Sequence, residues 1–350
     1  MVDTTLLSPE KILSISMDKP EVLYKGSTID EVKKMYRKFS AIWHPDKNLD
    51  KDTTAVFAHV KVLYEKAVEK IENGTWQQGQ VVFFTSSDGK KYKVKYQAMH
   101  LFDLGVVYIS SKFVTWIFNK DCEDLLNRGL SSLTKLKYAN DKMKLEMSKY
   151  VPEIHAKVEL NDGIMLVMKK KTDIILLKDI LNHFGGKMPV KHAAWVISSM
   201  YNMACFTQYN GIMHGGFSLD NYFIYPQAHE GHLLGGWWFS HTIGEKLVAL
   251  TQTGVDIAPV SMINKGVAHN TLDLEMIKLV GRQLLGDSSG VYLANDKTIP
   301  ANLVRWLRDG AGKNAVKEYE GWHKVLTDSF GVRRFTELNL TENDIYSKGE

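Results

Sequence analysis

The side chains able to do chemistry in this 350-residue chain gather in three short strings. The first is His44-Pro45-Asp46, an imidazole and a carboxylate separated by a ring that fixes its own φ at about −65°. The second is His214-Gly215-Gly216-Phe217-Ser218-Leu219-Asp220-Asn221, where a histidine and an asparagine bracket two glycines. The third is Gly235-Gly236-Trp237-Trp238. Its glycines allow close backbone approach, and its paired indoles can anchor a ligand or a partner; packing of both indoles between lobes is the alternative. Histidine recurs at His229, His232 and His241, and with His214 these raise the question of a metal site. A His-x-x-His spacing on a loop, with no cysteine or carboxylate completing it, is a poor ligand set. Solvated loop histidines and no metal or other cofactor are therefore expected. Cys122 and Cys205 lie far apart in sequence and form no metal or redox motif, which fits free thiols in a reducing compartment.

Hydrophobic residues make up 44% and charged residues 24%, the profile of a soluble globular protein. The net charge of +4, from 44 basic and 40 acidic residues, is too small an excess for bulk nucleic-acid binding. Lys169-Lys170-Lys171 accordingly reads as a solvated strand end rather than a nucleic-acid contact. Met1 to Glu10 carries no basic segment followed by a long apolar run, so no signal peptide is expected. Apolar stretches such as Ile164 to Met168 are too short to span a bilayer. A cytosolic location without a membrane partner is the expectation.

Residues 8 to about 73 read as helical, with a stop near Asn73-Gly74. Thr28 and Glu31 form a capping box that starts a helix near Ile29. Ile29, Val32, Tyr36, Phe39 and Trp43 make its apolar stripe, and Lys33, Lys34, Arg37 and Lys38 a basic outer face. Pro45 disfavours helix at His44, so the helix ends there. A second helix follows Asp52-Thr53-Thr54, with Phe57, Val60, Tyr64, Ala67, Val68 and Ile71 as its apolar face. From Val81 the pattern turns to strand. Tyr92, Val94 and Tyr96 alternate with lysines after a turn at Ser87 to Lys90. Gly105–Ser110 and Phe113–Phe118 read as strands, Asp121 to about Tyr150 as helix, and Ile154–Leu160 with Ile164–Met168 as a hairpin turning at Asn161-Asp162-Gly163. Beyond Lys171 the chain is mostly helical, with one long helix over Val190–Tyr209. The C-terminal helix around Arg305, Trp306 and Arg308 reads as amphipathic surface.

The string from Glu31 to Asn48, together with Phe57 and Tyr64, resembles the core of a DnaJ-type J-domain over residues 8 to 73. The resemblance implies a partner, a DnaK-class chaperone ATPase. The basic face would dock on an acidic surface of that ATPase, with Lys33, Lys34, Arg37 and Lys38 steering and holding the complex. Asp46 would engage a cationic network on the partner, Pro45 would keep the loop rigid, and His44 would fix its geometry. None of them does bond chemistry. One departure is Leu63, which stands where the family has a small residue before the tyrosine and would reshape the hairpin packing.

The string from His214 to Asn221 resembles the catalytic loop of protein kinases, in which a His-x-Asp precedes an Asn by five residues. His214 and Asn221 match, while the catalytic base is replaced by Gly216. Asp273 falls where that family has a buried central-helix aspartate, and Trp322 and Phe335 suit the tail of a helical lobe. The other parts of phosphoryl transfer are missing. The third-strand lysine position reads Phe118, with Lys120 two residues too late. Thr85 to Lys90 has only Gly89 in place of a glycine-rich loop. The magnesium-binding Asp-Phe-Gly position reads Gly235-Gly236-Trp237-Trp238. The resemblance is thus to a pseudokinase. The pairing of the two domains is similar to that in phage-encoded proteins labelled chaperones, which would place the chain in a host cytoplasm.

The expected fold is α+β, an all-α helical hairpin of the J-domain kind followed by a two-lobed kinase-like domain. The expected domains are 1–75 and 76–345, the latter with a sheet lobe over about 76–170 and a helical lobe over about 171–345. The expected function is that of a co-chaperone, not an enzyme. Its first domain stimulates the chaperone ATPase and its second chooses an unidentified client or a location. Two rivals are a phosphotransferase using displaced residues such as Asp220 or Lys120, and a structural or nucleic-acid-associated viral protein with a vestigial J-domain.

Overall fold

The structure is a computed structural model that describes residues 8–17, 19–24, 29–45, 53–72, 80–332 and 334–346. It divides into two compact units. One runs to Phe84 and includes Lys91–Ala98; the other comprises Thr85–Lys90 and Met99–Tyr346.

The first unit is built on helices α1 (Pro9–Leu13), α2 (Ile29–Trp43) and α3 (Thr53–Glu72). Apolar residues at helical spacing dictate the packing of α2. Val32 and Phe39 are fully buried, Ile29, Tyr36 and Trp43 are half-buried, and the four basic residues between them are exposed. On α3 the fully buried residues are Val56, Val60, Leu63 and Ala67, with Phe57, Tyr64, Val68 and Ile71 half-buried beside them. Ile12, Ile15, Leu23 and Tyr24 close this core, and the Tyr24 hydroxyl donates to the Val60 carbonyl at 2.8 Å. Strands β1 (Gln80–Thr85) and β2 (Lys91–Tyr96) form a hairpin. In β2 the lysines are exposed and Tyr92, Val94 and Tyr96 half-buried, the alternation read from the sequence. Thr28 of the expected capping box, Asp46, and the expected stop at Asn73-Gly74 lie outside the described residues.

The second unit opens with β3 (Ala98–Phe102), β4 (Gly105–Ile109) and β5 (Phe113–Asn119). Helices α4 (Glu123–Thr134) and α5 (Asp141–Met147) follow, then β6 (Glu153–Leu160) and β7 (Gly163–Lys169). These strands make a five-stranded sheet in the order β3-β4-β5-β7-β6, antiparallel along β4-β5-β7-β6. The run expected as one helix over Asp121–Tyr150 is divided. Asn140 starts a new helix by accepting the Met143 N–H on its side chain at 2.9 Å. The turn over Thr85–Lys90 pairs with the end of β6 through a Ser86–Leu160 bridge, so Gly89 lies away from the turn between β3 and β4.

The chain continues through β8 (Ile175–Leu176), α6 (Leu177–His183), α7 (Val190–Tyr209), β9 (Ile212–Met213), β10 (Tyr222–Tyr225), β11 (Glu230–Leu233) and β12 (His241–Thr242). It ends with α8 (Gln252–Ile257), α9 (Val260–Lys265), α10 (Thr271–Leu284), α11 (Ala301–Arg308), α12 (Ala315–Phe330) and α13 (Glu342–Tyr346). Helix α7 is apolar nearly all round, and the core of this half forms about it and α10. The fold is thus mixed α+β, a helical pair followed by antiparallel sheets and helices. No helix among the described residues is long and apolar enough to cross a membrane.

Lys170 corrects one expectation. It is not a solvated strand end, because its side chain is fully buried and its ammonium meets Glu342 of α13 at 3.4 Å and the Ser111 carbonyl at 2.9 Å. Trp306 is likewise more than surface. Its Nε1–H donates to the Tyr201 hydroxyl at 3.2 Å, and the buried Lys278 ammonium lies 4.4 Å from its ring centroid.

Candidate functional site

In the first unit α2 and α3 are held together by the stacked rings of Tyr36 and Tyr64, 4.3 Å apart and 16° from parallel. That contact turns Lys33, Lys34, Arg37 and Lys38 to solvent. Helix α2 stops at Trp43, as Pro45 requires. His44 then packs edge-on against Phe57 of α3, with 5.2 Å between centroids, so the start of the loop is braced by the neighbouring helix. His44 and Pro45 are half-buried. Leu63 is fully buried, filling with a branched side chain the space that a small residue would leave.

In the second unit α7 ends at Asn210, and Gly211 adopts the left-handed φ of 68° that turns the chain into β9. The loop after β9 is then pinned from below by Asp273 of α10. This carboxylate is fully buried and accepts the His214 N–H and the Gly215 N–H, each at 2.7 Å. Burial pushes Asp273 up to about 7, while the two backbone donors pull it the other way. His214 Nδ1 accepts the Gly216 N–H at 3.2 Å, which leaves the ring proton on Nε2, where it has no partner among the described residues. The ring is fully buried and edge-packed on Trp237 at 4.8 Å, and burial lowers its pKa to about 3. Asn221 ties the two glycine strings together. Its side-chain amide donates to the Gly216 carbonyl at 3.0 Å, and its own carbonyl accepts the Gly235 N–H at 3.0 Å.

The glycines here are required by space. A Cβ on Gly216 would fall 2.8 Å from the Gly236 Cα, and one on Gly235 would fall 2.5 Å from Asn221 Oδ1. Gly236 adds a left-handed φ of 81°. Helix α4 comes equally close, since a Cβ on Gly129 would lie 2.8 Å from the Trp237 carbonyl carbon. Trp237 and Trp238 are each 1% exposed, so neither indole lies at the surface. Trp237 donates to the Leu233 carbonyl at 2.8 Å. Trp238 inserts among Phe102, Trp116 and Phe118, with centroids 5.3, 4.8 and 4.9 Å away. Gly216 and Gly235 are thus enclosed by neighbouring chain, and Phe118 belongs to a buried aromatic cluster. The arrangement fixes the loop after β9 through backbone hydrogen bonds to Asp273 and Asn221.

Of the remaining sequence candidates, Lys120 is exposed, and Asp220 pairs with Lys178 at 2.7 Å. His214, His232 and His241 are not solvated loop residues but are 0%, 2% and 2% exposed. Among the described residues no group of three histidines, cysteines or carboxylates could hold a metal ion. Sequence reasoning missed Phe102 and Trp116. The signal for the latter was the period of two in β5, which sets Trp116 and Phe118 on one face.

The buried histidines make stability depend on pH. A histidine with a lowered folded pKa binds protons better when unfolded, so its contribution is whole above about pH 6.5 and is withdrawn as pH falls toward the folded value. His214 (about 3) and His232 (about 4) each withdraw about 2 kcal/mol between pH 7 and 5. Asp273, raised to about 7, works in reverse and returns about 2 kcal/mol over the same interval. These three groups together give a loss of about 2 kcal/mol, and His192 and His241, whose pKa values burial also lowers, add to it, so a lower denaturant midpoint is expected at pH 5. His232→Phe should remove about 2 kcal/mol of that difference. A midpoint that rises on acidification would show that Asp273 outweighs the histidines.

No protein-family model matches the chain, and no curated protein matches it.

Proposed function

We propose that this protein is a co-chaperone whose first unit acts as a J-domain on a DnaK-class ATPase, and whose second unit is a kinase-like module without phosphotransfer activity. The observation that carries the reading is the hairpin of α2 and α3. It exposes Lys33, Lys34, Arg37 and Lys38 on one face and braces His44 against Phe57 where the His-Pro-Asp loop begins. A basic face of this kind speeds and orients docking on an acidic partner surface, and the loop acts on the partner's ATPase rather than on a substrate of its own. Support for the kinase-like reading comes from Asp273, which holds the backbone of His214 and Gly215, and from α4, which follows the third strand of the five-stranded sheet and packs on the loop after β11. Against phosphotransfer stands the filling of each catalytic position. Client or location choice is assigned to the second unit by division of labour, because the stimulating surface belongs to the first.

The test is single-turnover ATP hydrolysis by a DnaK-class chaperone from the matching host. The whole chain should accelerate hydrolysis about tenfold or more, and His44→Gln should return the rate to that of the chaperone alone. Charge reversal of Lys34 and Arg37 should weaken stimulation and its dependence on salt together. Equal rates with and without the protein would reject the reading.

A further inference from the structure

Away from the glycine-filled centre, a cavity of about 370 Å³ lies between α7, α12 and the turn joining β10 to β11. Its size is that of small-ligand pockets rather than of a packing defect. Small residues of α7, Ala194, Ser198 and Ser199, leave the space, and rings surround it. Trp195 stacks on His229 with 4.4 Å between centroids and 6° between planes, and His229 stacks in turn on Phe335 at 4.1 Å. His229 takes a left-handed φ of 54° to hold this place. That conformation is uncommon for a residue with a side chain and persists where surrounding structure imposes it.

The polar groups of the lining are unevenly satisfied. Ser198 Oγ accepts the Trp322 Nε1–H at 2.8 Å, and the Ser199 and Tyr222 hydroxyls bond to each other at 3.0 Å. The Trp195 Nε1–H, by contrast, is buried and has no acceptor. The charge of the lining also has a sign. Glu230 is neutralised by Lys149 at 2.6 Å, while Lys191 and Arg334 are exposed.

We propose that this cavity binds a small planar aromatic anion, its ring among the aromatic walls and its negative group toward Lys191 and Arg334. The site is independent of the His44 loop and of the chaperone reading. Anilinonaphthalene sulfonate, a planar aromatic anion, is the probe. Titrated into the full chain it should bind saturably, one to one, at roughly micromolar concentration. Lys191→Glu with Arg334→Glu reverses the charge at the rim and should weaken binding about tenfold. Ala194→Trp should fill the cavity and abolish binding. Asn202→Trp, at an exposed position on the same helix face, should block it without disturbing the core, so a failure of Ala194→Trp to fold leaves the test intact. Dye that binds without saturation, or that binds Asn202→Trp as tightly as the parent, is bound to exposed apolar surface such as Val260 and overturns the proposal.

Discussion

Gly216→Asp, which on the kinase-like reading proposed above would supply the missing carboxylate, is expected to unfold the second unit instead of conferring activity. The new Cβ would meet the Gly236 Cα at 2.8 Å, the Gly236 carbonyl oxygen at 3.0 Å and His214 Cε1 at 3.2 Å. Two of these are backbone atoms that cannot swing aside, and overpacking alone costs about 1–3 kcal/mol. A carboxylate would also be buried beside a neutral imidazole, whose one unpartnered Nε2–H cannot compensate the lost hydration of a full charge, which adds several kcal/mol. The sum, above about 4 kcal/mol, is a large part of the stability of a domain. Denaturant titration followed by circular dichroism measures it. Magnesium-ATP should shift the melting temperature of neither parent nor variant. A well-folded Gly216→Asp protein stabilised by magnesium-ATP would mean that the two glycine loops can part, and would revive the phosphotransferase alternative.

Glu342→Ala is expected to cost about 3–5 kcal/mol, because it leaves a buried ammonium without its counter-charge. The Lys170 side chain has no exposure and that of Glu342 has 7%. Burial lowers the Lys170 pKa, and Glu342 only partly opposes the shift. The carboxylate also accepts the Ser111 hydroxyl and the Asp173 N–H, while the Glu342 N–H returns a bond to Asp173 Oδ1 at 2.9 Å. One side chain therefore seats α13 on the segment between β7 and β8. Lys170→Met combined with Glu342→Leu should recover much of the loss, since an apolar pair of similar volume needs no desolvation of charge. A change in the denaturant midpoint equivalent to less than about 1 kcal/mol for Glu342→Ala would show that the pair contributes no more than a surface salt bridge.

Local rules made some elements legible in the sequence. Helix α7 spans Val190–Tyr209 as read, because an uninterrupted apolar-rich run between Pro189 and Asn210-Gly211 leaves few other options. The β6–β7 hairpin followed from its Asn161-Asp162-Gly163 turn, and β2 from its strict alternation. Strand β3 was not legible. Met99 and Leu101 face solvent at 48% and 74% exposure, and only Gln97 separates the strand from β2, so neither pattern nor turn chemistry marks it. On α3 apolar residues lie on several faces, which hid Val56 and Leu63 from the expected stripe. The candidate site was legible as a set of residue types but not as an arrangement. That Gly216 lacks a carboxylate is evident in sequence; that Gly236 backbone fills the space, and that Trp238 closes on Phe102, Trp116 and Phe118, depends on contacts between distant segments. Lys170 shows the same limit, since its partner lies 172 positions away.

Trp238 has a consequence for how the second unit comes apart. Its ring joins β3 and β5 to the loop after β11, and the same loop is clasped by Gly129 of α4 and by His214. Partial opening needs a boundary across which few apolar contacts are lost. Parting the sheet from the helices here would expose a large aromatic cluster at once. Sheet and helices are therefore expected to melt as a single cooperative block. A protease or chaperone in the cell therefore meets this unit either intact or fully unravelled, with little lingering between the two.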